Sequence, residues 1–329
     1  MKNNLKIYIL NILIFSIFFI IYNKLNQKIS IAYALDNLYT YPTLVSMISI
    51  LENSSRYTFY TFYLLVEKNI FKEQNKKIFF HLEKKYDRCK VIIIELTNNY
   101  LSNARTKRYP KATYYRLLLA KKIPKINRII YLDGDTLVFT DLTEMYNLNM
   151  KDNIILGFVD HSYKKAEKFG VKTYKYITCG VLLINLKKMR EENISEKFLD
   201  FINNNKKNLI QEDQTVINIV LHKRIDLLPP KFGIWNFANK EKVLRHNYYK
   251  NKKLGIHAYS DDDILKGWRQ PAVLHFASKK KPWNIKSQFN ESRFFHEWWE
   301  YAKKSEEYEN ILKIIEEKIK MKTNFIVHL

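Results

Sequence analysis

Between Lys28 and Leu96, strand-length runs of β-branched and aromatic residues alternate with stretches of helical spacing, and no other feature limits the fold as much. Lys28 to Leu35 (K-I-S-I-A-Y-A-L) reads as a first strand. Pro42 to Glu52 predicts a helix, with apolar residues at Leu44, Val45, Met47, Ile48 and Leu51. Phe59 to Val66 predicts a strand, Asn69 to Tyr86 a helix and Lys90 to Leu96 a third strand. Strands joined through helices are parallel, and a parallel sheet needs both faces covered. A helix is predicted over Tyr114 to Ala120, before Pro124, and a buried strand over Arg128 to Leu132. No repeat and no Gly/Ser- or Pro-rich linker divides the chain, so one α/β domain with a mostly parallel central sheet is expected.

The 329 residues are 47% hydrophobic and 15% aromatic, enough for a large core and too apolar for a disordered chain. Cys89 and Cys179 are the only cysteines and lie in apolar runs. A disulfide framework and a Cys-x-x-Cys zinc or redox site are therefore excluded. The net charge of +23 favours anionic partners. The basic residues are spread along the chain, however, and no zinc-finger or RRM signature accompanies them, so no nucleic-acid partner is expected.

Ile7 to Tyr22 is apolar except for Asn11 and Ser16, a run of 16 residues. As a helix it spans about 24 Å, short of a ~30 Å hydrocarbon core unless Leu5 and Leu25 extend it. No small-x-small cleavage site follows. Residues 1–28 are therefore expected to form an N-terminal hydrophobic helix, a single-pass signal anchor of open orientation. Cleavage and secretion is the alternative. The main folded domain is expected over residues 29–290. A C-terminal helical extension over 291–329 would run from Phe294 to Met321 and pack through Ile311, Ile314, Ile315 and Ile319.

Asp133-Gly134-Asp135 follows the buried strand directly. Ligands of open α/β sheets bind outside the carboxyl ends of the strands. Two acids one residue apart in extended backbone face the same side and suit a hard divalent cation, with Gly134 allowing close ligand approach. A turn cap is the plainer use of such a pair. Two enzyme classes place acids there. Haloacid-dehalogenase-like phosphatases use an aspartate nucleophile, but in the first strand and with a threonine or valine where Leu137 stands. Glycosyltransferases of GT-A architecture use Asp-x-Asp to hold a metal on a nucleotide diphosphate.

Three further segments separate these. They are Cys179-Gly180-Val181-Leu182-Leu183-Ile184-Asn185-Leu186, Glu212-Asp213-Gln214-Thr215-Val216-Ile217-Asn218, and His275-Phe276-Ala277-Ser278-Lys279-Lys280-Lys281-Pro282-Trp283. With Asp36-Asn37-Leu38-Tyr39 and the acidic motif, their order and spacing over about residues 29 to 285 resemble glycosyltransferase family 8, which includes lipopolysaccharide galactosyl- and glucosyltransferases and the glycogenins. The resemblance implies a GT-A, Rossmann-like fold of the nucleotide-diphospho-sugar transferases. It also implies metal-dependent, retaining transfer of a hexose, glucose or galactose, from a UDP-sugar to a glycan, lipid-linked saccharide or protein.

Residue by residue, the resemblance implies Asp133, Asp135 and His275 as ligands of Mn²⁺ or Mg²⁺, with Asp135 also near the ribose. Asp36 and Asn37 would contact uracil beside the aromatic Tyr39, and Arg116 would lie near sugar and nucleotide. Lys281 would bind the diphosphate. Asp160, Asp213 and Gln214 would flank the reacting sugar. Thr178-Cys179-Gly180 stands where the family often has Asn-Ala-Gly. The remaining alternatives are the aspartate-based phosphatase and a catalytically inactive glycan-binding module.

Overall fold

A computed structural model describes residues 27–97, 101, 104, 106, 110–160, 176–205, 209, 211–237, 239–248, 258–278, 280–284 and 294–313. The ten strands are β1 (Gln27–Ala34), β2 (Thr58–Glu67), β3 (Cys89–Leu96), β4 (Arg128–Leu132), β5 (Thr136–Val138), β6 (Ile155–Val159), β7 (Ile177–Asn185), β8 (Ile225–Leu227), β9 (Phe232–Trp235) and β10 (Val273–His275). Seven of them form one sheet in the order β3-β2-β1-β4-β7-β6-β8. The half from β3 to β4 is parallel throughout, as the alternating sequence requires. Only β7 is reversed, running antiparallel to both β4 and β6. β1 and β4 pair in parallel through Ile31↔Ile130 and Ala32↔Tyr131, so the loops that begin at Asp36 and Asp133 leave the sheet at the same rim.

Strand alternation sends side chains to two cores. Ile31, Tyr33, Phe62 and Leu64 pack under the helix Thr40–Asn53. Ala32, Leu65, Tyr131 and Leu182 face the segment 111–122 and the helix Asp213–Val220. A second sheet, β5-β10-β9, carries a third core that is closed by the helix Phe294–Lys303 and its fully buried Trp298. The sequence pattern gave no sign of this second sheet.

Local departures have local causes. The helix expected from Asn69 starts at Glu73, because Asn69 holds a left-handed turn (φ 63°) that no helix continues through. The helix expected at Tyr114 is a 3-10 segment, Lys111–Leu118, running into a short α-turn, Leu119–Lys122. The C-terminal extension breaks after Lys303 rather than running on as one helix. Ile311 is buried against the domain as expected, and Ile314, Ile315 and Ile319 lie outside the described residues. β1 already begins at Gln27, inside the expected anchor of residues 1–28. The apolar run Ile7 to Tyr22 lies outside the described residues, and no helix among those described is long and apolar enough to cross a membrane.

Candidate active site

The acidic loop joins the two sheets, and its backbone is held from several sides. The Asp133 amide donates to the Gly180 carbonyl (2.8 Å), and the Phe276 amide donates to the Asp135 carbonyl (2.9 Å). Thr136 Oγ1 donates to the Asp133 carbonyl (2.9 Å). That hydroxyl has no second proton to give. The buried chain behind it therefore runs one way, from Tyr33 to Ser46 (2.9 Å) and from Ser46 to Thr136 (2.8 Å). Asp133 and Asp135 sit in a turn rather than in the extended backbone expected. Gly134 is also approached closely by protein: a Cβ there would overlap Thr43 Oγ1 and lie 3.2 Å from Tyr39 Cδ1.

His275 arrives from the second sheet, where it is the cross-strand partner of Thr136. Its Nε2 lies 3.2 Å from Asp135 Oδ1 and 3.8 Å from Asp133 Oδ2. One ligand atom from each of Asp133, Asp135 and His275 falls within 4.8 Å of the other two. Asp135 Oδ1 is buried, with the imidazole at ion-pair distance from it. An imidazole nitrogen and carboxylate oxygens converging in this way match the donor set of a divalent cation. Burial acts to raise the Asp135 pKa, but the charges of Lys281 and His275 together hold it well below the ordinary carboxylate value. Lys281 Nζ binds Asp135 Oδ2 and also the Phe276 carbonyl.

Arg116 forms the hub of the other half. From the 3-10 segment it reaches Asp133 Oδ1 with Nη2 (2.9 Å), Asp213 Oδ2 with Nε (3.1 Å) and the Cys179 carbonyl with Nη1. Its guanidinium lies 4.2 Å from the centre of the Tyr131 ring. Burial pushes Asp213 up to about 6, against the attraction of Arg116 and with help from Asp133. Burial also pushes the Cys179 thiol well above its usual range, reinforced by Asp213, Asp133 and Asp160, so Cys179 is a buried apolar side chain as expected.

Asp160, just past β6, accepts from Gln214 Nε2 (2.6 Å) and Gln211 Nε2 (3.5 Å). Tyr176 in turn donates to Gln211 Oε1 (2.8 Å). Glu212 takes a positive φ of 52° immediately before the helix that starts at Asp213.

In the segment assigned to uracil, both polar side chains have partners within the protein. Asp36 Oδ1 caps the turn Asn37–Tyr39 by accepting from the Leu38 and Tyr39 amides. Asn37 Oδ1 accepts from the Lys72 amide and Asn75 Nδ2, and its own Nδ2 donates to the Ile70 carbonyl. Both side chains therefore hold the shape of the turn. Tyr39 is half-buried, edge-on to Trp283, with ring centres 6.2 Å apart.

Four contributors were missed in sequence: Tyr131, Gln211, the Cys179 carbonyl and the bare α-carbon of Gly180. A Cβ at Gly180 would lie 2.6 Å from His275 Nε2 and 2.7 Å from Nδ1. Only the position of Tyr131, two residues before Asp133 in sequence, offered a signal.

The chain is similar to known glycosyltransferases. A Haemophilus influenzae protein designated a glycosyltransferase is 31% identical over 233 residues, covering 67% of this chain and 66% of that protein. The lipopolysaccharide 1,2-glucosyltransferase of Escherichia coli is 22% identical over 85% of this chain and 77% of its own length. In three dimensions the galactosyltransferase LgtC, solved with donor and acceptor sugar analogues, superposes with a TM-score of 0.69 at 20% identity. The superposition covers 86% of this chain and all of LgtC, which supports the GT-A-like fold. The sequence profile of glycosyl transferase family 8 matches residues 30–287, nearly the whole described fold with the acidic loop, Arg116, Asp213 and His275 inside it, and the chain is a glycosyltransferase belonging to that family.

Proposed function

We propose that this glycosyltransferase moves a hexose, glucose or galactose, from a UDP-sugar to a glycan, lipid-linked saccharide or protein acceptor, with retention of anomeric configuration. The observation that carries the reading is the convergence of Asp133, Asp135 and His275. Two carboxylates and an imidazole suit Mn²⁺ better than Mg²⁺, which prefers oxygen ligands alone. When bound there, the ion supplies Lewis-acid stabilisation of the departing diphosphate.

The chain's own residues do the rest. Lys281 turns from Asp135 to the diphosphate and adds a compact positive charge. The turn Asn37–Tyr39, fixed by Asp36 and Asn37, receives the base. Arg116 holds Asp133 and Asp213 in fixed relation, which sets the sugar's anomeric carbon against the Asp213 carboxylate. That carboxylate stabilises cationic character at the reacting carbon. Gln214 cannot ionise, and with Asp160 it orients the sugar hydroxyls. An aspartate-nucleophile phosphatase fits poorly, because the family 8 profile spans the acidic loop together with His275. An inactive glycan-binding module would have no use for the three converging ligands.

The test is a screen of UDP-sugars for Mn²⁺-dependent hydrolysis by the full chain, repeated with Asp135→Ala. Turnover of a UDP-hexose that is lost in the variant is expected. Metal-independent turnover, or unchanged activity in Asp135→Ala, overturns the reading.

A further inference from the structure

We infer that Tyr131 is a positioning residue for Asp133, restricting that acid to a single metal-facing oxygen; the inference rests on the transferase reading above. Tyr131 is fully buried near the end of β4, between Ala32 of β1 and Leu182 of β7. A tyrosine in such a place needs a partner for its hydroxyl, and it donates to Asp133 Oδ1 at 2.9 Å. Its ring meanwhile lies against the Arg116 guanidinium, whose Nη2 donates to that same oxygen at 2.9 Å. One side chain thus supports both the acid and the arginine that grips it.

The two oxygens of Asp133 are divided as a result. Oδ1 carries two hydrogen bonds, while Oδ2 faces His275 Nε2. Asp133 needs this restraint more than its neighbour does: its side chain is 28% exposed against 8% for Asp135, so the carboxylate has room to turn away. The second hydrogen bond to Oδ1 opposes that rotation and favours one-oxygen coordination of a divalent cation. Removing an outer partner that orients a ligand in this way typically costs about 10–100-fold in metal affinity.

The experiment titrates Mn²⁺ in the presence of UDP into the full chain by calorimetry, for wild type, Tyr131→Phe and Tyr60→Phe. Tyr60 is equally buried, but its hydroxyl serves Asp141 (3.4 Å) and the Leu142 amide (3.3 Å), outside this network. Thermal unfolding in chelator reports the cost to stability separately. Tyr131→Phe keeps the ring under Arg116 and is expected to weaken Mn²⁺ binding about tenfold or more, while Tyr60→Phe leaves it unchanged. In an Asp133→Asn background, the effect of Tyr131→Phe should shrink to within twofold. Mn²⁺ affinity of Tyr131→Phe within twofold of wild type, or a tenfold loss that persists in Asp133→Asn, overturns the inference. Wild type that fails to bind Mn²⁺ at all overturns the transferase reading, and this inference with it.

Discussion

Gly180→Ala separates a strand glycine from one that makes room for a ligand. Gly180 lies inside β7 with an ordinary negative φ, so backbone freedom does not explain it. On backbone grounds alone, alanine there should stabilise the chain by about 0.4–1 kcal/mol. The imidazole reverses that sign. The new methyl would overlap His275 Cε1 outright and sit 2.6 Å from Nε2, so even the farther of these contacts lies about 0.8 Å inside the 3.4 Å at which ordinary contact begins. The backbone of His275 cannot retreat, because β10 is paired with β5 on one side and β9 on the other. The ring must turn, and a displacement of that size is several times the ~0.2 Å tolerance of a metal–ligand bond. Overpacking adds a destabilisation of about 1–3 kcal/mol. Calorimetric titration of Mn²⁺ with UDP should show at least a tenfold weaker site, and thermal unfolding a lower midpoint. A Gly180→Ala chain that unfolds at a higher temperature and binds the metal as wild type does would refute the reasoning.

Two further outcomes follow from the arginine hub. Arg116→Met leaves Asp213 and Asp133 sharing a buried space without their cation, and should cost about 3–5 kcal/mol in chemical denaturation. Arg116→Lys should recover only part of this, because a point charge cannot serve two carboxylates and the Cys179 carbonyl together. Asp213 gives a pH signature in the metal-free chain. Its folded pKa of about 6 lies above its unfolded value, so between the two the folded chain keeps a proton that the unfolded chain has released. Stability should fall as pH rises from about 4 to 6 and level off above. Unfolding of Asp213→Asn across that range should lack the slope.

The parallel half of the sheet was legible because β1 to β4 each carry enough residues to show their period and their flanking turns. β5 and β10 have three residues apiece and β9 four, too few for any period, so the sheet that delivers His275 was invisible. The 3-10 segment at Lys111–Leu118 reads as α-helix because both place an apolar face at every third or fourth residue. The candidate metal ligands were picked out through the order of whole segments rather than through any spacing of their own. The residues that hold them were not found, for a common reason. Tyr131 looks like core, Gly180 looks like strand, and what each does depends on a neighbour from another strand or segment. Asp36 and Asn37 show the converse: placed by resemblance at the ligand, they are largely taken up in shaping a turn.

The division of labour between sheet and loops has a thermodynamic consequence. Asp135 and His275 are fixed by the strand ladder, but Lys281 comes from the segment after β10 and lies on Asp135 Oδ2. A cation that uses this carboxylate competes with an ammonium already in place. A diphosphate that attracts Lys281 removes the competitor, so each ligand makes the other's binding easier. By linkage the coupling must be equal in both directions. UDP should therefore raise Mn²⁺ affinity, and Mn²⁺ should raise UDP affinity by the same factor. Lys281→Met should bind Mn²⁺ more tightly than wild type when UDP is absent, and gain less when UDP is added. A variant that binds the bare ion more weakly than wild type would mean that Lys281 supports the metal site rather than guarding it, and the ion pair would then have to be read as a scaffold.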